Sequence, residues 1–445
     1  MTSTQTSIAE AGVRDIAAAV ASGELTPSDV LEQVIERIEA TEPGIQAWSQ
    51  LDLDTARREA EALTVEAKNG SFRGPLHGVP VGVKEEFFVR GMTTMTWTEP
   101  EPEDATVVAR LRAGGAIIVG KTTMPIDGVN PPTRNPWNLG HTAGGTSSGS
   151  GAVVGARVVP LAIGEQTAGS NLRPAAYCGV EGLKPTYGLI PRFGCSPFSW
   201  SRDHVGLIGL TMADMALVLS QVAGFDAKDP TSKHVEPPSA DLEMAAYRPP
   251  TIGIVRNFFP ERTEAPMLEA IERSADTLRD AGATVTDIVL PAEFSLAWSA
   301  ASIVTAEGAA FNAERRAGQP IEATALRQRV VELVPATYYV QARRARNWLA
   351  GQVVALMQSA GVDALLMGVA PGAAPAGIES TGDASLLTPW SFLGFPAITV
   401  NGGLSPEGLP LGLQFVSTPM QDWELLRLGA WASDTLGRLP APPMP

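Results

Sequence analysis

Residues 141–170 read HTAGGTSSGSGAVVGARVVPLAIGEQTAGS and form the most informative part of this 445-residue sequence. The stretch begins as a loop rich in Gly and Ser and then reaches a short apolar run, Val158–Ile163. Short apolar runs between Gly-rich turns are typical of strands that are buried on both faces of a sheet. Val79–Val83 and Ala116–Val119 have the same character, so we predict three strands of this kind.

Helical patterns flank this glycine-dense region. Thr26 and Pro27 precede apolar residues at helical spacing, and Asp29 stands at the third helical position, which is typical of a capped amphipathic helix. A second helix is predicted to end at Asn69-Gly70, a helix-stop signal. Later parts of the chain predict a strand at 251–256, a helix at 265–281, a strand at 284–290, helical sequence to about 360, strands within 362–416 and a last helix near 422. We therefore predict an α/β fold.

The composition excludes several classes of protein. Lys plus Arg total 33 against 48 for Asp plus Glu, and the net charge of −15 argues against binding to nucleic acid or to an anionic membrane surface. No run of about 20 apolar residues predicts a membrane span. The chain has 2 Cys and 4 scattered His, too few for a disulfide framework and wrongly spaced for a metal-binding helix. We expect a cytoplasmic protein without a catalytic metal.

Three familiar motifs are present in form only. Residues 115–122 match a phosphate-binding loop, but their apolar centre predicts a strand where such a loop needs flexible backbone. Ser147 stands in a Gly-x-Ser-x-Gly pattern that would make it a nucleophile with His204 or His234 as base, but no buried strand precedes it. Gly149, Gly151 and Gly155 resemble a dinucleotide fingerprint and lack the same strand.

Two residues remain as candidates for catalysis from the residues alone. Ser170 follows a turn of small residues, which places a hydroxyl beside consecutive backbone N–H groups as an oxyanion site requires. Lys84 directly follows an apolar strand, where burial is expected to lower its pKa from about 10.4 towards 7 or 8 and so make it a base. The alternative is that Lys84 pairs with Glu85 or Glu86 on the surface and that Ser170 only shapes a turn.

Seven segments, in order along the chain, resemble the amidase signature family. They are GPLHGVPVGVKE (74–85), GKTTMP (120–125), RNPWNLGHTAGGTSSGSGAVVGA (134–156), VPLAIGEQTAGSNLRPAAYCGVEGLKPTYGLIPRFG (159–194), RDHVGLIGLT (202–211), FLGFPAITVNGG (392–403) and GLPLGLQFV (408–416). The resemblance implies a single α/β domain over residues 1–445, with a mixed central sheet flanked by helices on both faces. Within it, residues 74–212 form the signature core and the proline-rich residues 226–250 a surface linker.

The resemblance also implies a set of catalytic roles. The family uses a serine, a cis-serine and a lysine without metal or organic cofactor, which implies Ser170 as nucleophile and Lys84 as the base. The bridging position holds Thr146, whose hydroxyl can pass a proton, and the adjacent Ser147 is the alternative. The implied oxyanion hole consists of the backbone N–H groups of Thr167, Ala168, Gly169 and Ser170.

Two positions depart from the usual family pattern. Gln166 stands where an Asp is usual, and Arg173 lies one residue farther from the nucleophile than the usual Arg. With Gln166 and the shifted Arg173, the chain resembles some family members that act on small urea-like or amide compounds.

The implied reaction is hydrolysis of a C–N bond in a small amide or carbamate through an acyl-enzyme, with esterase side activity. Aromatic and thioether side chains near the matched segments are candidates for an apolar substrate pocket: Phe87, Met92, Trp97, Phe198, Trp200 and Trp390. The alternatives are a hydrolase of small urea-like compounds, an inactive scaffold, and a glutamine-hydrolysing amidotransferase subunit. A homodimer is one assembly that such a chain could form.

Overall fold

The structure is a computed structural model that describes residues 7–95, 97–126, 129–237, 239–315 and 333–443. Part of the predicted helical stretch, residues 316–332, lies outside the described residues.

Within these ranges the backbone forms one large mixed sheet and a small two-stranded ribbon. The large sheet has the order β1-β3-β2-β6-β8-β7-β12-β13-β11-β9-β10, and β4 pairs with β5 in the ribbon. The strands are β1 (Trp48–Leu51), β2 (Pro80–Lys84), β3 (Ile117–Thr122), β4 (Arg134–Asn135), β5 (Asn138–Thr142), β6 (Leu161–Gln166), β7 (Glu181–Lys184), β8 (His204–Gly209), β9 (Thr251–Val255), β10 (Thr284–Ile288), β11 (Ala364–Gly368), β12 (Ala397–Leu404) and β13 (Pro410–Val416).

Helices cover both faces of this sheet. On β12, Thr399 lies close to Gly182 beside the helix that begins at Leu172, whereas the preceding Ile398 lies close to Gly429 on the last helix. Neighbouring residues of a strand point to opposite faces, so these two helices lie on opposite sides. The helices are α1 (Val13–Ser22), α2 (Pro27–Ile45), α3 (Leu53–Lys68), α4 (Thr106–Ala113), α5 (Ser148–Gly155), α6 (Leu172–Tyr177), α7 (Met212–Val222), α8 (Ala265–Asp280), α9 (Leu296–Val304), α10 (Ala306–Arg315), α11 (Ala336–Ala360), α12 (Thr388–Leu393) and α13 (Asp422–Leu436).

The predicted α/β class is confirmed, and so are most of the predicted elements. Thr26 caps α2, since its Oγ1 accepts a hydrogen bond from the Asp29 N–H at 3.1 Å. The three predicted apolar strands correspond to β2, β3 and β6, all fully buried. Strands β9 and β10 pair in parallel around α8, as the predicted βαβ unit requires. Residues 117–122 of the apparent phosphate-binding loop form β3.

Two further sequence expectations concern the proline-rich residues 226–250 and membrane-spanning helices. The described residues between 226 and 250 form one short 3₁₀ helix, Met244–Ala246, and an isolated bridge between Asp226 and Asp229. Of the helices that the structure describes, none combines the length and apolar character needed to cross a bilayer.

Trp390 on α12 is the largest fully buried side chain of the described core. Its ring lies parallel to that of Phe259, with centroids 5.7 Å apart, and 5.2 Å from that of Phe294. Its indole N–H donates to the Met367 sulfur at 3.1 Å. The predicted pocket residue Trp390 therefore packs in the core.

Replacing Trp390 with alanine is expected to lower the free energy of unfolding by about 3–5 kcal/mol, because the cavity left behind adds to the lost burial. Urea unfolding followed by circular dichroism measures this change. Phe198→Ala is the matched control, since Phe198 is 55% exposed and its truncation should change the same quantity by less than about 0.5 kcal/mol. Equal effects in the two variants would contradict the packing described for Trp390.

Candidate active site

Two neighbouring parallel strands bring the candidate residues to one edge of the sheet. Strands β2 and β6 pair with Val83 opposite Ile163, so their carboxyl ends lie side by side. Lys84 is the last residue of β2, and the residues after β6 form the loop that carries Ser170. The carboxyl ends of parallel strands are a common place for ligand sites in α/β proteins.

Lys84 lies at the centre of a buried polar cluster. Its side chain is completely buried, and its Nζ donates a hydrogen bond to Thr146 Oγ1 at 2.7 Å. The same nitrogen lies 2.8 Å from Glu86 Oε1 and 3.4 Å from Glu165 Oε2, and both carboxylates are nearly fully buried. The sequence alternative of a Lys84–Glu86 pair is thus right about the partner, but the pair lies inside the protein.

The expected lowering of the Lys84 pKa is wrong in direction. Burial by itself lowers the pKa of Lys84, but the negative charges of Glu86 and Glu165 outweigh burial, and the pKa lies above its ordinary value. Glu86 is a neighbour that the sequence already offers as a partner, whereas Glu165 is placed against the lysine only by the fold. The resting lysine is therefore an ammonium ion near neutral pH.

Thr146 lies beside the Ser170 loop. The Ser147 N–H donates to the Ser170 carbonyl at 3.1 Å, and a Cβ at position 145 would lie 2.9 Å from the same oxygen. Thr146 stands between these two contacts and also touches Lys84. The structure therefore brings positions 84, 146 and 170 together.

Two glycines make the bend that presents Thr146. Gly144 and Gly145 have φ angles of 84° and 63°, in the left-handed region that favours glycine. The resemblance implies a cis peptide bond at the bridging residue, but the peptide bonds of the described residues are all trans. The left-handed turn at positions 144 and 145 directly precedes Thr146.

The Ser147 hydroxyl is engaged elsewhere. It donates to the Glu165 carbonyl and accepts from the Glu165 N–H, both at 3.2 Å, and the side chain is fully buried. Ser147 immediately precedes α5 and does not follow a buried strand. A nucleophile in the Gly-x-Ser-x-Gly pattern would need such a strand before it. His204, a base in that rejected pattern, is also buried, and its Nδ1 lies 3.1 Å from the Gln166 carbonyl oxygen.

Gln166 and Ser391 hold the loop between β6 and α6. Gln166 Oε1 accepts from the N–H groups of Asn171 and Leu172, at 3.1 and 2.9 Å, and so caps α6. Its Nε2 donates to Ser391 Oγ at 3.0 Å, and that hydroxyl donates to the Ala168 carbonyl at 2.7 Å. These bonds leave the N–H groups of residues 167–170 without a hydrogen-bond partner among the described residues.

Arg173, the second departure from the family pattern, is buried on α6. Its guanidinium donates to the Gly382 carbonyl at 2.8 Å and lies 3.4 Å from Thr381 Oγ1. Within the described ranges its Nε has no hydrogen-bond partner. Arg173 thus ties α6 to the segment before α12.

The predicted pocket residues do not form one group. Phe87, Met92 and Trp390 lie in the core, and Trp97 packs against Phe88 with ring centroids 5.3 Å apart. Phe198 and Trp200 are exposed. Trp200 lines a cavity of about 220 Å³ together with Cys195 and Asp203.

Sequence reasoning missed Glu165, Asp203 and Ser391 as parts of the site. Glu165 Oε1 and Asp203 Oδ1 lie 2.9 and 2.7 Å from Thr167 Oγ1, which connects the Lys84 cluster to the Ser170 loop. A Glu within the apolar strand LAIGEQ was the available signal, because an unpaired carboxylate is costly there. For Ser391 the sequence offers no comparable signal.

A family model described as Amidase matches residues 29–426. Among curated relatives, a glutamyl-tRNA(Gln) amidotransferase chain of Anaeromyxobacter sp. (strain K) is 33% identical, over 98% of this chain and 98% of that protein. The corresponding amidotransferase chain of Rhodopirellula baltica is 33% identical, over 92% of this chain and 93% of that protein.

Solved structures give the same picture. Peptide amidase from Stenotrophomonas maltophilia is 29% identical and superposes with a TM-score of 0.85, over 97% of this chain and 98% of that one. 6-Aminohexanoate cyclic dimer hydrolase is 25% identical and superposes with a TM-score of 0.84, over 97% of this chain and 98% of that one. The chain belongs to the amidase signature family and is an enzyme of the class that cleaves C–N bonds.

Proposed function

We propose that this chain is an amidase that hydrolyses a small amide or carbamate by a serine–threonine–lysine relay. The observation that carries the proposal is the 2.7 Å contact between Lys84 Nζ and Thr146 Oγ1, next to Ser147, whose N–H donates to the Ser170 carbonyl. A buried amine, a bridging hydroxyl and a serine on a loop with free N–H groups are the parts that acyl transfer needs.

In the proposed reaction Ser170 attacks the substrate carbonyl and loses its proton to Thr146. Thr146 passes its own proton to Lys84, which must carry a free lone pair at that moment. The N–H groups of Thr167, Ala168, Gly169 and Ser170 then stabilise the oxyanion. Return of the proton to the leaving nitrogen expels the amine and leaves Ser170 acylated, and water releases the acyl group by the reverse relay.

The choice between Thr146 and Ser147 as the relay is open to a direct test. Thr146→Val keeps the shape of the side chain and removes the hydroxyl that touches Lys84, so kcat/KM should fall by roughly 10²- to 10⁴-fold. Ser147→Ala is the control, since its hydroxyl is already engaged by the Glu165 backbone, and kcat/KM should fall by less than about tenfold. The reverse ranking of the two variants would assign the relay to Ser147.

A panel of chromogenic anilides, carbamates, esters and small ureas, with Ser170→Ala as the blank, identifies the substrate class. We expect hydrolysis of an anilide or carbamate by the purified chain alone, with hydrolysis of an ester as a side activity. Turnover restricted to ureas would instead support the urea-like alternative. Turnover of no compound, together with an unreactive Ser170, would support an inactive scaffold.

The second candidate function is that of a glutamine-hydrolysing component of an amidotransferase. It is favoured by the whole-length similarity to the glutamyl-tRNA(Gln) amidotransferase chains. Such a component should release ammonia from glutamine only when the other proteins of its complex are added. Anilide hydrolysis by the isolated chain, unchanged on adding those proteins, favours the free amidase.

The remaining parts of the proposal concern assembly and compartment. The net charge of −15 supports a small-molecule substrate in place of nucleic acid or an anionic membrane. The two free cysteines are compatible with the cytoplasm as the proposed compartment. A homodimer is the assembly to test by sedimentation.

A further inference from the structure

Two buried carboxylates contact the single amine of Lys84, and a third is linked to one of them through a hydroxyl. Glu86 and Glu165 touch Nζ directly, and Asp203 is connected to Glu165 through the Thr167 hydroxyl. All three side chains are nearly fully buried. Ionised carboxylates beside an amine favour its ammonium form, and an ammonium has no lone pair to accept a proton. The protonation states of these carboxylates therefore decide whether Lys84 can act in the relay.

The Thr167 hydroxyl fixes where one proton of the cluster lies. Its Oγ1 is 2.9 Å from Glu165 Oε1 and 2.7 Å from Asp203 Oδ1, but a hydroxyl has one hydrogen to donate. If both carboxylates were ionised, one of these two short contacts would join two acceptors.

Asp203 is the carboxylate that should stay ionised. Its oxygens accept from the Phe198 N–H at 2.9 Å and from the Ser199 N–H at 2.9 and 2.8 Å. Burial raises the pKa of Asp203 above its ordinary value, and the hydrogen bonds from these N–H groups oppose that shift because they favour the charged form of a carboxylate. Thr167 therefore donates to Asp203, and the contact with Glu165 needs a proton on Glu165.

We infer that Glu165 works in its protonated form, donating to Thr167 Oγ1, and that its ionisation locks Lys84 as an ammonium. Glu165 is then a positioning residue that acts through Lys84 and links the proposed base to the loop of the proposed oxyanion hole. The inference rests on the proposed function.

The contacts of Lys84 fit this assignment. A neutral amine has two hydrogens and one lone pair, and Nζ has three neighbours: Glu86, Glu165 and Thr146. The two hydrogens can point to the two carboxyl groups while the lone pair accepts the Thr146 proton. Ionised Glu165 adds a second full negative charge beside Nζ and favours the ammonium form, which has no lone pair.

The electrostatic surroundings of Glu165 agree with a protonated carboxyl group near neutral pH. Burial raises the pKa of Glu165 to about 8, Lys84 opposes this shift, and the charges of Glu86 and Asp203 add to it. The titratable and charged groups facing it from the packed elements are Lys84 and Glu86 at the end of β2, Asp203 and Arg202 before β8, and Cys195.

The test measures the rate at which an alkyl fluorophosphonate labels Ser170 as a function of pH. The wild-type rate constant should rise with pH as Lys84 loses its proton and bend near the pKa of Glu165. Glu165→Gln keeps the protonated shape and cannot ionise, so the bend should disappear. Its rate should stay within tenfold of wild type at pH 6.5 and exceed wild type about tenfold at pH 9.

Glu181→Gln is the matched control. Glu181 is a buried glutamate on β7 that bonds Ser433, and burial raises its pKa to about 7. Its replacement should leave the wild-type bend in place. Thr167→Val is the second variant, since loss of the acceptor for the Glu165 proton should move the bend to lower pH.

Two results would overturn the inference about Glu165: a bend in the pH profile of Glu165→Gln like that of the wild type, or a labelling rate constant of Glu165→Gln more than tenfold below wild type at pH 6.5. Neither result would contradict the proposed function as long as Ser170 is still the labelled residue. If Glu165→Gln does not fold, an unchanged or upward-shifted bend in Thr167→Val overturns it. Absence of Ser170 labelling in the wild type contradicts the proposed function itself.

Discussion

Ser170→Ala is expected to reduce kcat/KM for a small amide by roughly 10⁴- to 10⁶-fold, because removing a nucleophile removes covalent catalysis altogether. The fold should tolerate the change. Ser170 contributes its backbone carbonyl to the contact with the Ser147 N–H, and alanine keeps that carbonyl. Initial rates on the anilide or carbamate identified by the panel measure the loss, and thermal unfolding of the same samples checks the fold.

Ser148→Ala is the matched control for Ser170→Ala. Ser148 is a buried serine at the start of α5, and its hydroxyl makes a long 3.5 Å contact with the Thr123 carbonyl. We expect its loss to change kcat/KM by less than about tenfold. Activity in Ser170→Ala comparable to that of Ser148→Ala would remove Ser170 from the mechanism.

Lys84→Met is expected to lower kcat/KM by roughly 10³- to 10⁴-fold and also to destabilise the fold. The side chain is completely buried beside Glu86 and Glu165, so its removal leaves two buried carboxylates without their cation. Breaking a buried ion pair on one side costs about 3–5 kcal/mol of the free energy of unfolding.

This loss of stability should depend on pH in a definite direction. Without Lys84 the folded-state pKa values of Glu86 and Glu165 lie above their unfolded values, because burial raises both and the lysine no longer opposes it. Between these values the folded state binds more protons than the unfolded state, so stability falls as pH rises. Urea unfolding should show Lys84→Met closer to wild type at pH 5 than at pH 8.

Lys121→Met is the control for these effects. Lys121 is also fully buried, on the adjacent β3, and its Nζ donates to the Thr93 carbonyl at 2.6 Å and to Thr94 Oγ1 at 3.0 Å. Its loss should leave kcat/KM within about tenfold of wild type. Similar losses of activity in both variants would mean that burial of any lysine, and not the relay, explains the effect of Lys84.

The elements that could be predicted from the sequence are those specified by local signals. Helix α2 begins where Thr26, Pro27 and Asp29 place a cap, and the βαβ unit appears where a 3.6-residue pattern lies between two apolar runs. The burial of Lys84 at the end of an apolar strand was also predictable, whereas the catalytic roles of Lys84 and Ser170 remain predictions.

The parts that could not be predicted depend on contacts between distant segments. Glu165 meets Lys84 across 81 positions of the chain, and Ser391 meets Ala168 across 223. The Lys84 pKa was predicted in the wrong direction because burial was considered without the charges of Glu86, two residues away in the chain, and of the distant Glu165, which together outweigh it. Trp390 illustrates the same limit, because an aromatic residue near a motif can pack in the core or line a pocket, and only packing distinguishes the two.

The central claim is that the Ser170 hydroxyl is the nucleophile activated through Thr146 and Lys84. It is tested most directly by treating the purified chain with an alkyl fluorophosphonate and locating the adduct by peptide mass spectrometry. We expect one adduct, on Ser170, that is absent from Ser170→Ala and forms at least about 10²-fold more slowly in Lys84→Met. An adduct on Ser147, or equally fast labelling of Ser170 in Lys84→Met, would contradict it.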